Sequence, residues 1–189
     1  IMQTTSHFIW LELNTKYFSN IFVWVYEYLK ENNIENILHF QNPLSPHITL
    51  YYFEKDLDNS IIWEIKNDIS TLALNSWVFL EWFNYFFRGE WNRFVMYFKN
   101  KSEIDFKKYR DFFHNKYNRD FVEDNNFEFS PHITFLRILK PEIYELHREN
   151  IENIILRELE NLKDVNIKSN NVYLYAVNSR FKEEIQVKI

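Results

Sequence analysis

The chain has 189 residues and a formal net charge of −5, with 20% aromatic residues, one glycine and no cysteine. The near absence of glycine excludes the glycine-rich phosphate loops of the Walker and Rossmann types. The lack of cysteine excludes disulfides, thiol catalysis and cysteine-ligated zinc, and it suits a reducing compartment, so we expect a cytoplasmic protein.

Strands and helices alternate along the chain, as judged from the period of the apolar residues and from the turn residues between them. In the first half we predict a strand at 7–13, a helix at 16–31, a short strand at 37–40, a strand at 48–53 and a helix from about 60 to 74. In the second half we predict a hairpin of strands at 77–87 and 91–99 that turns at Gly89, and then a helix that is capped by Ser102 and ends near Tyr117. A polar loop at 118–126 and a strand at 127–139 follow. The chain continues with a helix at 141–162 and closing strands at 172–178 and 184–189. No linker or low-complexity segment divides the chain, so we predict a single domain over residues 1–189.

The charge pattern also limits the partners. No dense run of lysine and arginine is present, whereas proteins that grip a long nucleic acid carry a basic stripe. No apolar run reaches the roughly eighteen residues of a membrane helix, and the N-terminal residues lack the pattern of a signal peptide. We therefore expect neither a membrane nor a long nucleic acid as partner, and we expect a monomer.

One short segment occurs twice. The sequence Ser-Pro-His-Ile-Thr stands at 45–49 and again at 130–134, and an apolar residue follows each copy. The copies lie 85 positions apart, one in each half of the chain. A repeat of this kind indicates a duplicated structural unit.

Each copy leads into a predicted strand, where alternate side chains share a face. In the first copy we expect His47, Thr49 and Tyr51 to share one face, opposite the apolar residues that can pack under helices. In the second copy we expect His132 and Thr134 to share the corresponding face. These polar faces then point toward a cleft or toward solvent.

Two histidines that face each other across a cleft suit acid–base catalysis. A neutral imidazole can take a proton from water while a protonated one gives a proton to a leaving oxygen, because the ordinary pKa of histidine lies near neutrality. The threonine hydroxyls can donate hydrogen bonds to non-bridging phosphate oxygens. This constellation fits cleavage of a phosphodiester without a metal or cofactor, since one histidine per strand is a poor metal site. The alternative for either motif alone is a half-buried histidine with a structural role.

The motifs at 47–49 and 132–134, both His-Ile-Thr, resemble the signature of the 2H (two-histidine) phosphoesterase superfamily. In that family two His-x-Thr/Ser motifs lie on strands and are flanked by apolar residues. The predicted order of elements is also similar to the family pattern over nearly the whole chain. The resemblance implies an α+β, bilobal 2H-phosphoesterase fold, in which two antiparallel sheets line a central cleft and the helices lie on the outside.

The resemblance also implies a reaction. Family members act on phosphodiesters that involve a ribose 2′-oxygen, so one of His47 and His132 would be the base and the other the acid. Thr49 and Thr134 would hold the phosphate. Known substrates of the family include RNA ends with a 2′,3′-cyclic phosphate, ADP-ribose cyclic phosphate, 2′-5′ oligoadenylates and, in some viral members, cyclic oligonucleotide messengers.

One departure from the family pattern bears on the substrate. Many bacterial members that act on RNA ends carry arginine immediately before the proline of the second motif, where this chain has Ser130. Together with the acidic net charge, this favours a small signalling nucleotide, such as a 2′-5′ oligoadenylate or a 2′-5′-linked cyclic dinucleotide. A role in evading nucleotide-based immunity would follow from such a substrate.

Two aromatic side chains are candidates for stacking on a substrate base, since aromatic faces are sequence-tolerant base platforms. Trp10 lies on the non-aliphatic face of the first predicted strand, and Tyr51 is expected on the face of His47 and Thr49. The alternatives are that Trp10 caps the edge of the sheet and that Tyr51 only lines it.

Three other functions stay open from the sequence. The chain could be an RNA 2′,3′-cyclic phosphodiesterase in RNA end processing, or a module that binds a nucleotide or RNA end without turnover. It could also be an interaction protein whose aromatic excess marks a partner surface. Replacement of His47 and His132 by alanine separates the enzyme from the binding module, because only the enzyme loses turnover while it keeps affinity.

Overall fold

Eight strands and four helices alternate along the part of the chain that the computed structural model describes, which is residues 4–41, 46–53, 57–72, 77–102, 104–117, 130–180 and 183–188. The strands are β1 (Thr4–Leu13), β2 (Leu38–Phe40), β3 (His47–Phe53), β4 (Trp77–Arg88), β5 (Asn92–Ser102), β6 (His132–Ile138), β7 (Ile167–Arg180) and β8 (Glu183–Lys188). The helices are α1 (Lys16–Glu31), α2 (Asn59–Thr71), α3 (Phe106–Tyr117) and α4 (Pro141–Leu162). The predicted order of elements is confirmed. Ser45 and the predicted loop at 118–126 lie outside the described residues.

The strands form two antiparallel sheets. In the first sheet β1 lies between β3 and β7, and β8 pairs with β7. In the second sheet β5 lies between β4 and β6, and β2 pairs with β6. A short pairing of β4 with β7, through Trp77 with Lys168 and Val78 with Ile167, joins the two sheets. The motif strands β3 and β6 come within 8 Å of one another, although the sheet order does not pair them.

The two halves of the sequence fold as the same unit. In chain order, β1, α1, β3, α2 and β4 correspond to β5, α3, β6, α4 and β7. The pairings correspond as well, because β1 pairs with β3 and β7 as β5 pairs with β6 and β4. The duplicated unit that the repeated motif predicts is therefore present in the structure.

The helices cover the outer faces of the sheets because each has one apolar stripe. In α1 the buried side chains Phe18, Ile21, Val25 and Leu29 follow the helical period. The ring of Phe18 lies 6.3 Å from that of Phe98 on β5, and α1 also packs on α4, so both helices cover the second sheet. Helix α3 packs on β3 and α2 on β7, so they cover the first sheet. No helix of the described residues is long and apolar enough to cross a membrane.

A partly buried polar network fixes α4 against β4. The hydroxyl oxygen of Tyr85 lies 2.6 Å from that of Tyr144, and the Tyr85 hydroxyl donates to Glu152 Oε1 at 2.7 Å. Burial raises the pKa of both tyrosines, so both hydroxyls stay protonated and able to donate. Arg93 on β5 adds a hydrogen bond from Nη1 to Glu145 Oε1 at 2.8 Å.

The start of α3 differs from its prediction. Ser102, predicted as the helix cap, is the last residue of β5, and α3 begins at Phe106. Asp105 takes the capping position, since its Oδ1 accepts a hydrogen bond from the backbone N–H of Lys108 at 3.3 Å. Strand β5 is longer than its apolar pattern suggests because pairing with β4 continues to Ser102.

The core around β5 predicts a large effect for one aromatic substitution. Phe98 is fully buried and packs on Phe18 and Phe135. Phe98→Ala should lower the free energy of unfolding by about 3–5 kcal/mol, because it removes buried apolar surface and leaves a cavity. Urea unfolding followed by circular dichroism measures this change.

The matched control is Phe112→Ala on α3, whose side chain is 42% exposed. This variant should lose about 1 kcal/mol or less. Equal losses for the two variants would contradict the position of the core.

Candidate functional site

The second motif begins β6 and holds His132 in a defined tautomer. Asn100 Nδ2 donates to the carbonyl of Pro131 at 2.9 Å, which fixes the chain just before the histidine. The Nδ1 atom of His132 lies 2.9 Å from the carbonyl oxygen of Ser130. A carbonyl can only accept, so Nδ1 carries the proton and the neutral ring has its lone pair on Nε2.

The surroundings of His132 favour its neutral form. Burial lowers the pKa of His132, and the hydrogen bond to the Ser130 carbonyl opposes this to a smaller extent. The rings of Phe86 and Tyr97 lie 5.0 Å and 5.2 Å from the imidazole, both at steep angles to it. A neutral imidazole with a lone pair on Nε2 has the form that a general base needs.

The first motif begins β3 and holds His47 against an indole. His47 is 8% exposed, and its ring stacks on that of Trp10 with centroids 3.7 Å apart and planes inclined by 17°. The backbone N–H of Leu13 donates to the carbonyl of Pro46 at 2.9 Å, which fixes the chain before the histidine. Both motifs are thus anchored at the carbonyl of their proline, the first by a backbone N–H and the second by a side-chain amide, and they have different aromatic neighbours.

Trp10 is in turn held from its other side. The ring of Tyr175 on β7 lies 4.4 Å from that of Trp10. Because β1 lies between β3 and β7, the indole is packed between His47 and Tyr175. The Tyr175 hydroxyl donates a hydrogen bond to Glu12 Oε1. Burial, and then the Glu12 carboxylate, raise the pKa of Tyr175, so this hydroxyl remains a donor.

This packing changes the role expected of Trp10. The side chain lies on the predicted face of β1, but it is only 3% exposed. A substrate base would find no open face of the indole on which to stack. The position of Trp10 instead orients the imidazole of His47.

The expectation that Tyr51 shares the face of His47 and Thr49 is wrong. Tyr51 pairs with Ile9 and Thr49 pairs with Trp10, so Leu50 between them is an extra residue in β3, a β-bulge. The bulge reverses the alternation, and Tyr51 points into the core, where its hydroxyl lies 3.2 Å from His114 Nδ1.

Tyr52, the residue after Tyr51, occupies the position on the inner face that was predicted for Tyr51. Tyr52 is 41% exposed and stacks on Phe8, with ring centroids 4.6 Å apart. The same irregularity occurs in the second motif, where Phe135 is the extra residue between Thr134 and Leu136. The apolar residue that follows each copy of the motif is therefore the bulge residue in both.

The threonines of the two motifs occupy equivalent positions. Thr49 pairs with Trp10 across β1, and Thr134 pairs with Tyr97 across β5. Both threonines are partly buried. Both lie on the inner faces of their sheets, away from the helices. The strands that carry the two motifs, β3 and β6, come within 8 Å of each other.

The cross-strand neighbours of the histidines differ in charge. Glu12 is the residue opposite His47, and Lys99 is the residue opposite His132. Directly opposed residues in an antiparallel pair have Cβ atoms about 4.5–5.5 Å apart. The first half of the site therefore has a carboxylate beside its histidine, and the second half has an ammonium group.

The alternation of the first strand predicts that Glu12 lies with Trp10 on the cleft face, but its position opposite His47 was not predicted, and Lys99 was missed altogether. Both lie in predicted strands, but their relation to the motifs depends on which strands pair and in which register. The alternation of Trp10 and Glu12 in β1 was the available signal for the first pair. No group of three or more histidine, aspartate or glutamate side chains in the described ranges is placed to bind a metal ion.

Comparison with known proteins gives a fold. No protein-family model matches the chain, and no curated protein matches its sequence. Among solved structures, Escherichia coli LigT in complex with 3′-AMP is similar, with a TM-score of 0.63 and 12% identity over 100% of this chain and 96% of that one. The protein TT0787 of Thermus thermophilus has a TM-score of 0.61 and 14% identity over 100% and 95% of the two chains.

A third similar structure is the conserved protein ATU0111 of Agrobacterium tumefaciens, with a TM-score of 0.58 and 14% identity over 100% of this chain and 87% of that one. This chain shares their fold. The α+β, bilobal fold predicted from the sequence is confirmed, with two antiparallel groups of strands that the β4–β7 pairing joins and with the helices outside.

The environment of His132 predicts how this residue titrates. Because burial lowers its pKa, His132 should titrate below its ordinary value of about 6.5 in the folded chain and return toward that value in urea. NMR titration of the imidazole Cε1–H signals measures both states, and the signal absent from His132→Gln identifies the residue. A folded pKa at or above the ordinary value would contradict this environment.

The same shift has a consequence for stability. Below neutrality the unfolded chain binds a proton at this position before the folded chain does, so His132 lowers stability as the pH falls through the unfolded and then the folded pKa. His132→Gln should therefore lose less stability than the natural chain between about pH 7 and pH 5.

Proposed function

We propose that this chain is a 2H phosphoesterase, a metal-independent phosphodiesterase that cleaves bonds involving a ribose 2′-oxygen. The observation that carries the proposal is the equivalence of the two half-sites. Each His-Ile-Thr segment begins a strand in the same register and with the same bulge, and the two strands come within 8 Å of each other. The shared fold with LigT, which binds 3′-AMP, supports a nucleotide ligand for this cleft.

The surroundings of the two histidines suggest their roles. His132 is the general base, because its Nδ1–H is held by the Ser130 carbonyl and burial lowers its pKa. In hydrolysis, water attacks phosphorus and gives its proton to Nε2 of His132. The bond from phosphorus to the leaving oxygen breaks, and protonated His47 donates a proton to that oxygen.

The remaining residues of the half-sites support this proton transfer. The hydroxyls of Thr49 and Thr134 donate hydrogen bonds to the non-bridging phosphate oxygens, where negative charge grows in the transition state. The indole of Trp10 holds the imidazole of His47 in one orientation. A fixed imidazole raises the rate because it is already oriented for proton transfer when the substrate binds.

For the substrate, we favour a small signalling nucleotide with a 2′-5′ linkage. The net charge of −5 and Ser130 in place of the arginine of many RNA-end members support this choice. The loss of such a messenger would blunt nucleotide-based immunity. The alternative substrate is an RNA end with a 2′,3′-cyclic phosphate.

An incubation of the purified chain in EDTA, read by mass spectrometry, tests the reaction and the substrate together. The panel contains a 2′,3′-cyclic-phosphate oligonucleotide, a 2′-5′ oligoadenylate, and cyclic dinucleotides with 2′-5′ and with 3′-5′ linkages. We expect cleavage of the 2′-5′ compounds. Cleavage of the cyclic end alone would assign the chain to RNA processing, and cleavage of nothing would favour a binding module.

The histidine variants test the mechanism in the same assay. His47→Ala and His132→Ala should each lower kcat by about 10²–10⁴, the usual contribution of a general acid or base. The double variant should lose little more than either single variant, because the two groups act as a unit. His147→Ala on the outer helix α4 is the control and should keep its activity. Equal activity of all variants would contradict the mechanism.

Removal of either threonine hydroxyl should lower activity less than removal of a histidine does. Thr49→Val and Thr134→Val keep the shape of the side chain but remove the hydroxyl, so each should lower kcat/KM by about 10–100-fold. Thr49→Ser and Thr134→Ser retain the hydroxyl and should restore most of the activity. Steady-state kinetics on the best substrate of the panel measures both. A serine variant as inactive as the valine variant would argue against a hydrogen-bonding role.

A further inference from the structure

Three side chains form a row on the inner face of the second sheet. Lys99 on β5 is the cross-strand partner of His132 on β6, and it is also the partner of Trp82 on β4. Partners in adjacent antiparallel strands point to the same side of the sheet, so the three side chains project from the same face at neighbouring positions. Neighbouring strands are about 4.8 Å apart, so the backbone of His132 lies about 10 Å from that of Trp82 across the sheet.

Lys99 is available to a ligand. Its side chain is exposed, and it has no ion pair or hydrogen bond with any group in the described part of the chain. Other exposed basic side chains, such as Lys107 and Lys116, do pair with carboxylates. An unpaired ammonium group beside the proposed general base can bind a phosphate as a point charge.

Trp82 offers the open aromatic face that Trp10 does not. Its side chain is 54% exposed, whereas Trp10 is 3% exposed. Trp82 stacks on Phe83 with ring centroids 5.7 Å apart, so the indole has support on one side. Aromatic side chains of this kind bind nucleobases by stacking, with little preference for the base.

We propose that Lys99 and Trp82 are the substrate-binding residues of the second half of the site. Lys99 binds the phosphate that is cleaved, and Trp82 stacks on the base of the same nucleotide, so the nucleoside lies across β5 and β4. This assignment rests on the proposed function, which it deepens. It places the base on the second sheet, whereas the sequence had suggested Trp10 and Tyr51 on the first.

Binding of three simple probes tests the two residues separately. The probes are adenosine 2′-monophosphate, adenosine and inorganic phosphate, each titrated by NMR into the full chain, which detects weak binding. Lys99→Ala should weaken binding of the monophosphate and of inorganic phosphate by about tenfold and leave adenosine unchanged. Trp82→Ala should weaken binding of the monophosphate and of adenosine by about tenfold and leave inorganic phosphate unchanged.

Matched variants control for charge and for the loss of an indole. Lys108→Ala on α3 removes an exposed lysine outside the cleft, and Trp63→Ala on α2 removes an indole that is 67% exposed. Neither should change any of the three affinities by more than about twofold, since both lie outside the site. Trp82→Phe keeps a ring and should recover part of the adenosine binding.

Several outcomes would overturn the row. They are the absence of monophosphate binding to the natural chain, equal effects of Lys99→Ala and Lys108→Ala, and equal effects of Trp82→Ala and Trp63→Ala. Turnover separates this proposal from the proposed function. If Lys99→Ala and Trp82→Ala both cleave the panel as the natural chain does, the assignment of these two residues is wrong, and the proposed phosphodiesterase activity is retained. If the probes bind with the expected pattern but no compound of the panel is cleaved, the binding residues are supported and the proposed hydrolysis is refuted.

Discussion

The pairing of each motif strand with the long strand that precedes it is the constraint on which the site depends. β3 pairs with β1 and β6 pairs with β5, in both cases with one extra residue directly after the motif threonine. The bulge lets the histidine and threonine lie on the inner face of the sheet while residues beyond it, such as Tyr51, return to the core. Because the same irregularity occurs in both repeats, the two polar faces are equivalent.

Chemical asymmetry is added to this symmetric frame by side chains from neighbouring strands. The first histidine lies against Trp10 and opposite Glu12, and the second lies opposite Lys99. A pair of histidines in identical surroundings would be equally protonated at any pH. Different neighbours allow one to be a proton donor and the other a proton acceptor at the same pH, which acid–base catalysis requires.

The sequence predicted what depends on local pattern. The two motifs, the order of the elements and the bounds of α1 and α4 follow from residue identity and from the helical period. The face of Tyr51 did not follow, because the bulge at Leu50 arises from pairing with β1 and leaves no mark in the period of β3. The partnership of Lys99 with His132 joins residues more than thirty positions apart, so no local pattern contains it.

The exchange of elements between the repeats makes each half structurally incomplete without the other. Strand β4 of the first repeat belongs to the second sheet, and β7 of the second repeat belongs to the first sheet. Helix α1 covers the second sheet and α3 covers the first. A single repeat would leave both strand edges and apolar helix faces exposed to water. Folding must therefore assemble contacts between distant parts of the chain at once, which favours slow, all-or-none folding of the pair.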